Sequence, residues 1–247
     1  MGKRKLRAVA VHTFAGGMLM GVRRAGFQVD QAYEPLDYGT GTLRRRHGVR
    51  VMACGMEDAS KWPLPDGDID FVFGNPRCGG FSHASNSAIL AGGGKRKSRN
   101  DGLGANCYQS VDTEQLVRFG TEIVKAPVVA WESVQALPNS ASNRPFLERM
   151  IDEYLLPNGY QVAHVFHSAA NFGSAQNRRR YFCVGYQRGL EFNLDVPTPP
   201  EKMVTISDVL EPLLDRPAVA SNELRRSRGG EEYHGDMYLA HDRVEHV

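Results

Sequence analysis

Asp68-Ile69-Asp70-Phe71-Val72-Phe73, running into Gly74-Asn75-Pro76-Arg77-Cys78-Gly79-Gly80-Phe81-Ser82, decides the fold of this chain. The first six residues read as a buried strand with acidic punctuation at its start. Gly74 and Pro76 stop the strand, and a cysteine stands just beyond its end. Open α/β sheets place their ligands and chemistry at the carboxyl ends of their strands. The stretch therefore predicts such a sheet, with Cys78 at its working edge.

Working outward, strand-like and helix-like segments alternate. Arg7–Phe14, Phe27–Glu34, Val49–Ala53, Ile69–Phe73 and Pro127–Trp131 read as strands. Met18–Ala25, closed by Gly26, and Arg144–Leu156, stopped by Pro157-Asn158-Gly159, read as helices. Arg44–Arg46 fall on an exposed helix, and Asp112 or Thr113 is placed to cap a helix running to Lys125. Gln161–His167 and Arg180–Tyr186 read as a closing β pair. The alternation predicts an α/β fold with a doubly wound, mostly parallel sheet. Residues 1–190 form the expected catalytic domain. After the linker prolines Pro197, Pro199 and Pro200, residues 191–247 hold the short helix Ile206–Leu214 and a polar stretch.

The composition suits that fold. In 247 residues, 41% hydrophobic and 23% charged, there is material for one full core and a small appendage. No apolar run reaches membrane-spanning length, and the basic start leads straight into a strand-like run, so a cytoplasmic location is expected. Cys54, Cys78, Cys107 and Cys183 lack zinc or disulfide spacing and read as reduced thiols. His12, His164 and His167 read as structural histidines, and no metal set emerges. A net charge of +2 is too small to imply a nucleic-acid partner.

Five clusters fall at successive strand ends: Phe14-Ala15-Gly16-Gly17, Glu34, Asp58, Cys78 and Glu132. Gly16 and Gly17 let backbone approach a ligand at a helix N-terminus. An acid ending the second strand accepts both hydroxyls of a ribose, so a nucleoside-type cofactor is expected. These residues do not separate S-adenosyl-L-methionine from a dinucleotide, although the absent Gly-x-Gly-x-x-Gly argues against the latter.

The Cys78 stretch resembles the nucleophile motif of the cytosine-5 DNA methyltransferases, Gly-x-Pro-Pro-Cys-Gln-x-Phe-Ser, with Arg77 for the second proline and Gly79 for the glutamine. Phe14-Ala15-Gly16-Gly17 through Phe27 resembles the family's cofactor motif, with a glycine loop about two residues shorter. Trp131-Glu132-Ser133-Val134 is similar to its Glu-Asn-Val motif, with Ser133 replacing Asn. Gln176-Asn177-Arg178-Arg179-Arg180 matches Gln-x-Arg-x-Arg. The resemblance runs from residue 8 to about 215 in the right order.

The resemblance implies a Rossmann-like fold that binds S-adenosyl-L-methionine and methylates carbon 5 of cytosine in DNA. Phe14 would pack on the adenine, Glu34 hold the ribose and Asp58 the adenine amino group, with Pro76 and Leu116 lining the pocket. Cys78 would be the nucleophile and Glu132 would act at ring nitrogen 3, with Arg77, Arg178 and Arg180 as candidate sources of cationic support. Ser82 and Gln176 would contact DNA. Lys95, Arg96, Lys97 and Arg99, behind Gly92-Gly93-Gly94, read either as a DNA-contacting lid or as a solvated charge run. Two rivals stay open: an RNA cytosine methyltransferase, and a catalytically impaired cofactor-binding subunit. The family's Gly-Asn closing motif is not found before Val247, so a fragment, or half of a split enzyme with a second polypeptide for recognition, is expected.

Overall fold

A computed structural model describes residues 4–55, 57–81, 110–191 and 199–211. They fall into two units, Met1–Ser168 with Arg179–Val196, and Ala169–Arg178 with Pro197–Val247. The first unit carries a seven-stranded sheet: β1 (Arg7–Val11), β2 (Gln28–Tyr33), β3 (Arg50–Met52), β4 (Phe71–Gly74), β5 (Val128–Ser133), β6 (Tyr160–Ser168) and β7 (Arg179–Gln187). Their order across the sheet is β3-β2-β1-β4-β5-β7-β6. β1 to β5 pair in parallel, and β7 runs antiparallel between β5 and β6.

Burial on both faces explains why these strands read as unbroken apolar runs. Along β1, Val9 and Val11 join a core with Tyr33, Trp62, Val72, Leu116, Phe119, Val129 and Trp131. The alternate residues Ala8 and Ala10 join the opposite core with Leu19, Val22, Val29, Ala32, Leu43 and Phe73. The helix α1 (Gly17–Arg24) covers this second face through Leu19 and Val22. The helix Ser110–Arg118 and the π-helical turn Phe119–Ile123 cover the first through Leu116, Val117 and Phe119. The chain leaves β1 towards β2 on one side and takes up β4 on the other. The ends of β1 and β4 therefore form the switch point where such sheets open a ligand crevice.

The doubly wound sheet is the one expected; several boundaries differ. β1 stops at Val11 because His12 and Phe14 turn to φ 52° and 51°, outside extended backbone. β5 runs on through Ser133, so Glu132 lies inside a strand instead of after one. The antiparallel partner β7 prolongs the ladder there, pairing Glu132 with Phe182 and Ser133 with Tyr181. Neither Asp112 nor Thr113 caps a helix: the helix begins at Ser110, and the Asp112 carboxylate is taken by Arg77. In the second unit the helix Ile206–Leu210 starts with a capping box between Thr205 and Asp208; residues 212–214 lie outside the described residues. No helix among the described residues is long and apolar enough to cross a membrane.

Candidate active site

The β1–α1 turn is built by backbone that ordinary residues rarely adopt. Gly16 sits at φ 84°, where a Cβ would come within 2.6 Å of His47 Nε2. That His47 nitrogen lies 3.0 Å from the Ala15 carbonyl. Gly17 opens α1, with nothing within 4 Å of where its Cβ would stand.

Glu34, one residue past β2, is 2% exposed. Its Oε2 accepts the Phe14 amide at 2.7 Å and its Oε1 accepts the Leu36 amide at 3.1 Å. Burial pushes its pKa up, against the pull of those two amides. The carboxylate thus ties the glycine turn to the end of β2. Above it the Phe14 ring is 43% exposed and meets Tyr38 edge-on at 5.0 Å. Asp58 caps the short turn Ala59–Lys61 through the Ser60 amide at 2.9 Å and pairs with Arg118 at 3.2 Å. Hydrogen bonds from Ser60, then from Arg118, hold its carboxyl at about 2.

Three buried side-chain atoms at the neighbouring ends of β1 and β4 have no hydrogen-bond partner among the described residues: His12 Nε2, Thr13 Oγ1 and Asn75 Oδ1. Buried polar atoms left this way cost stability, and they cluster here at the switch point. Leu116 lies against the same strand ends: a Cβ on Gly74 would meet its Cδ1 at 2.5 Å. Pro76 is one residue beyond Asn75, on the loop to Cys78.

Cys78 is partly buried and packs against the core, and its carbonyl accepts the Phe81 amide at 3.0 Å. Asn143 steadies that turn, donating to the carbonyls of Phe81 at 3.3 Å and Ala136 at 3.1 Å. On the next strand, Arg180 Nε forms an ion pair with Glu132 Oε1, each side chain 17% exposed. β4 and β5 are adjacent, so the thiol loop and this pair occupy neighbouring strand ends. The Arg77 guanidinium, one residue before the thiol, grips Asp112 through Nε and Nη2.

Gln176 and Arg178 belong to the second unit, where both are exposed and the Arg178 carbonyl accepts the Ala169 amide at 2.9 Å. Ser82, Lys95, Arg96, Lys97, Arg99 and Cys107 lie outside the described residues. His164 bonds Tyr181 at 2.7 Å across β6 and β7, and Cys183 is buried. No His, Cys, Asp and Glu grouping among the described residues is arranged to hold a metal ion. Sequence reasoning missed Asp112, Tyr38 and Asn143. Asp112 resembles a helix cap, and only the 35-residue separation from Arg77 closed in space reveals its other use.

A model of the C-5 cytosine-specific DNA methylase family matches residues 10–243. Type II methyltransferase M.MthTI of Methanothermobacter thermautotrophicus is 27% identical over 218 residues, 87% of this chain and 58% of that protein. Type II methyltransferase M.AquIA of Picosynechococcus is 30% identical over 207 residues, 78% of this chain and 76% of that protein. Among solved structures, a candidate DNA modification methyltransferase encoded within an E. coli prophage superposes with a TM-score of 0.62 at 19% identity, over 87% of this chain and 56% of that one. The chain spans about half the length of most of the curated relatives it matches.

Proposed function

The chain belongs to the C-5 cytosine-specific DNA methylase family, and from that premise we propose that it methylates carbon 5 of cytosine in DNA, with Cys78 as the attacking group. The observation that carries this reading is the placing of Cys78 and the Glu132–Arg180 pair at adjacent strand ends beside the switch point.

Cytosine carbon 5 is a weak nucleophile until something adds at carbon 6. The Cys78 thiolate adds there and makes the ring an enamine. Glu132 holds or delivers a proton at ring nitrogen 3, where negative charge would otherwise build. Arg180, paired with Glu132, keeps that carboxylate oriented. The cytosine leaves the stack to reach these groups. Residues 1–190 carry the chemistry, and residues 191–247 link to target recognition.

S-adenosyl-L-methionine, when bound, supplies an electrophilic methyl group on a sulfonium. The residues at the switch point fit it. Three orphaned polar atoms suit its amino-acid end, the exposed Phe14 ring suits its adenine, and Glu34, one residue past β2, and Asp58, on the loop six residues past β3, stand for the nucleoside. Glu34 already accepts two amides, and its remaining lone pairs are the ones left for ribose hydroxyls.

The test is covalent trapping. DNA carrying 5-fluorocytosine blocks elimination, so the enzyme should stay attached through Cys78 when the cofactor is present. An adduct mapped to Cys54, Cys107 or Cys183 would remove the assignment. Tritiated methyl transfer to DNA and to RNA, side by side, decides the polymer.

A further inference from the structure

Cys78 follows a residue, Arg77, that stands where the motif it resembles carries a second proline. Proline there stiffens the backbone leading to the nucleophile. Arginine has no such stiffness, so the loop needs another restraint. The structure contains one. Arg77 Nε and Nη2 donate to Asp112 Oδ2 and Oδ1 at 2.5 and 2.9 Å, a two-pronged contact that fixes orientation as well as distance. The Asp112 side chain is 1% exposed and that of Arg77 27%, so the acid end of the pair is buried and the basic end partly exposed.

The carboxylate is a firm post. Asp112 lies in the first turn of the helix Ser110–Arg118, where a negative charge is favoured. That helix is held in place without Arg77: Gln115 Oε1 accepts the Ala59 amide of the turn Ala59–Lys61 at 2.6 Å, and Leu116 is fully buried against the ends of β1 and β4. His12 Nδ1 stands 3.8 Å from the same Asp112 oxygen. Burial drives the His12 pKa down to about 4, with Arg77 adding to the fall and Asp112 opposing it. His12 is therefore neutral near pH 7, and Arg77 is the charged group that answers Asp112.

We propose that Arg77 is a positioning residue: its ion pair with Asp112 clamps the Cys78 loop to the helix and replaces the stiffness of the missing proline. The proposal rests on Cys78 as the nucleophile. Its test therefore uses a readout that does not need methyl transfer, the rate of Cys78 alkylation by iodoacetamide, mapped by peptide mass and with Cys54 as internal control.

The full chain is compared with Asp112→Asn, Arg77→Lys and the double variant Arg77→Pro with Asp112→Asn. In Asp112→Asn, Cys78 alkylation should shift at least threefold while Cys54 is unchanged. Its kcat should fall tenfold or more, with the KM values for cofactor and DNA within threefold. Arg77→Lys, which keeps the charge and loses the fork, should shift alkylation in the same direction. It also keeps the test decisive if Asp112→Asn does not fold. The double variant should return Cys78 alkylation to within twofold of wild type. Alkylation within twofold of wild type in Asp112→Asn, or in Arg77→Lys where that variant alone folds, overturns the proposal. So does a double variant no closer to wild type than the single one. A wild-type chain that methylates no polymer would refute the functional reading, and the alkylation series would still decide the role of Arg77.

Discussion

Cys78, partly buried against the core, and His12 both stand at the carboxyl edge of the sheet, and their chemistry serves different ends. The attacking form of a cysteine is its thiolate. Serine in its place would have to lose a far more tightly held proton. Cys78→Ser is expected to cut methyl transfer on the order of 10³-fold or more, while calorimetric affinity for S-adenosyl-L-methionine stays within a few-fold. Full activity in that variant would remove the nucleophile assignment. His12 works on stability instead. Its folded pKa is depressed to about 4 from an ordinary value near 6.5. The unfolded chain then binds a proton that the folded chain refuses, so stability is full above about pH 6.5 and falls as pH drops towards 4. The loss approaches about 3 kcal/mol at the lower end. Urea unfolding of wild type and His12→Gln at pH 7 and pH 4.5 checks this, and equal losses in both chains would refute it.

At the level of elements, the switch point depends on how closely β1, β4 and the helix Ser110–Arg118 meet. A Cβ on Gly74 would stand 2.0 Å from the Val11 carbonyl oxygen and 2.5 Å from Leu116 Cδ1. The first obstacle is backbone and does not yield. Gly74→Ala is expected to destabilise the fold by about 3 kcal/mol or more, read as a fall in melting temperature; an unchanged melting temperature would mean that these strands sit further apart. The strands themselves were legible because two-sided burial writes itself as apolar runs, as in Ala8–Val11 and Phe71–Phe73. Their order was less so. Gln161–His167 and Arg180–Tyr186 read as a closing pair, yet nothing in their periodicity puts β7 between β5 and β6 or runs it against β5. Strand order is set by crossovers, and periodicity carries only burial. Asp112 was misread as a cap for a related reason: the residue types that cap helices also make ion pairs, and a partner 35 residues away leaves no local mark.

Across the whole molecule, the candidate site draws on loops after four parallel strands and on β5, and a bound cofactor would fasten segments from residue 12 to residue 116 to one another. Its placing at the sheet's carboxyl edge was legible from Glu34, Asp58 and Cys78 at successive strand ends. The orphaned atoms at His12, Thr13 and Asn75 were not, because an unmet hydrogen bond exists only in three dimensions. They make a prediction about the entire fold. A ligand that binds only the folded chain stabilises it by about 2.7 kcal/mol at a concentration a hundred times its Kd. At roughly 2–4 °C per kcal/mol for a chain of this size, saturating S-adenosyl-L-methionine should raise the melting temperature by about 5–10 °C. NAD at the same concentration should leave it unchanged. Thr13→Val removes one orphaned hydroxyl while keeping shape. It should leave the unliganded chain as stable or slightly more so, since a buried unpaired hydroxyl is unfavourable, and should shrink the cofactor-induced shift. Scanning calorimetry with and without each ligand reads all of this in one series. Equal shifts from NAD and S-adenosyl-L-methionine would mean a generic nucleotide cleft, and no shift from either would mean that the chain binds neither.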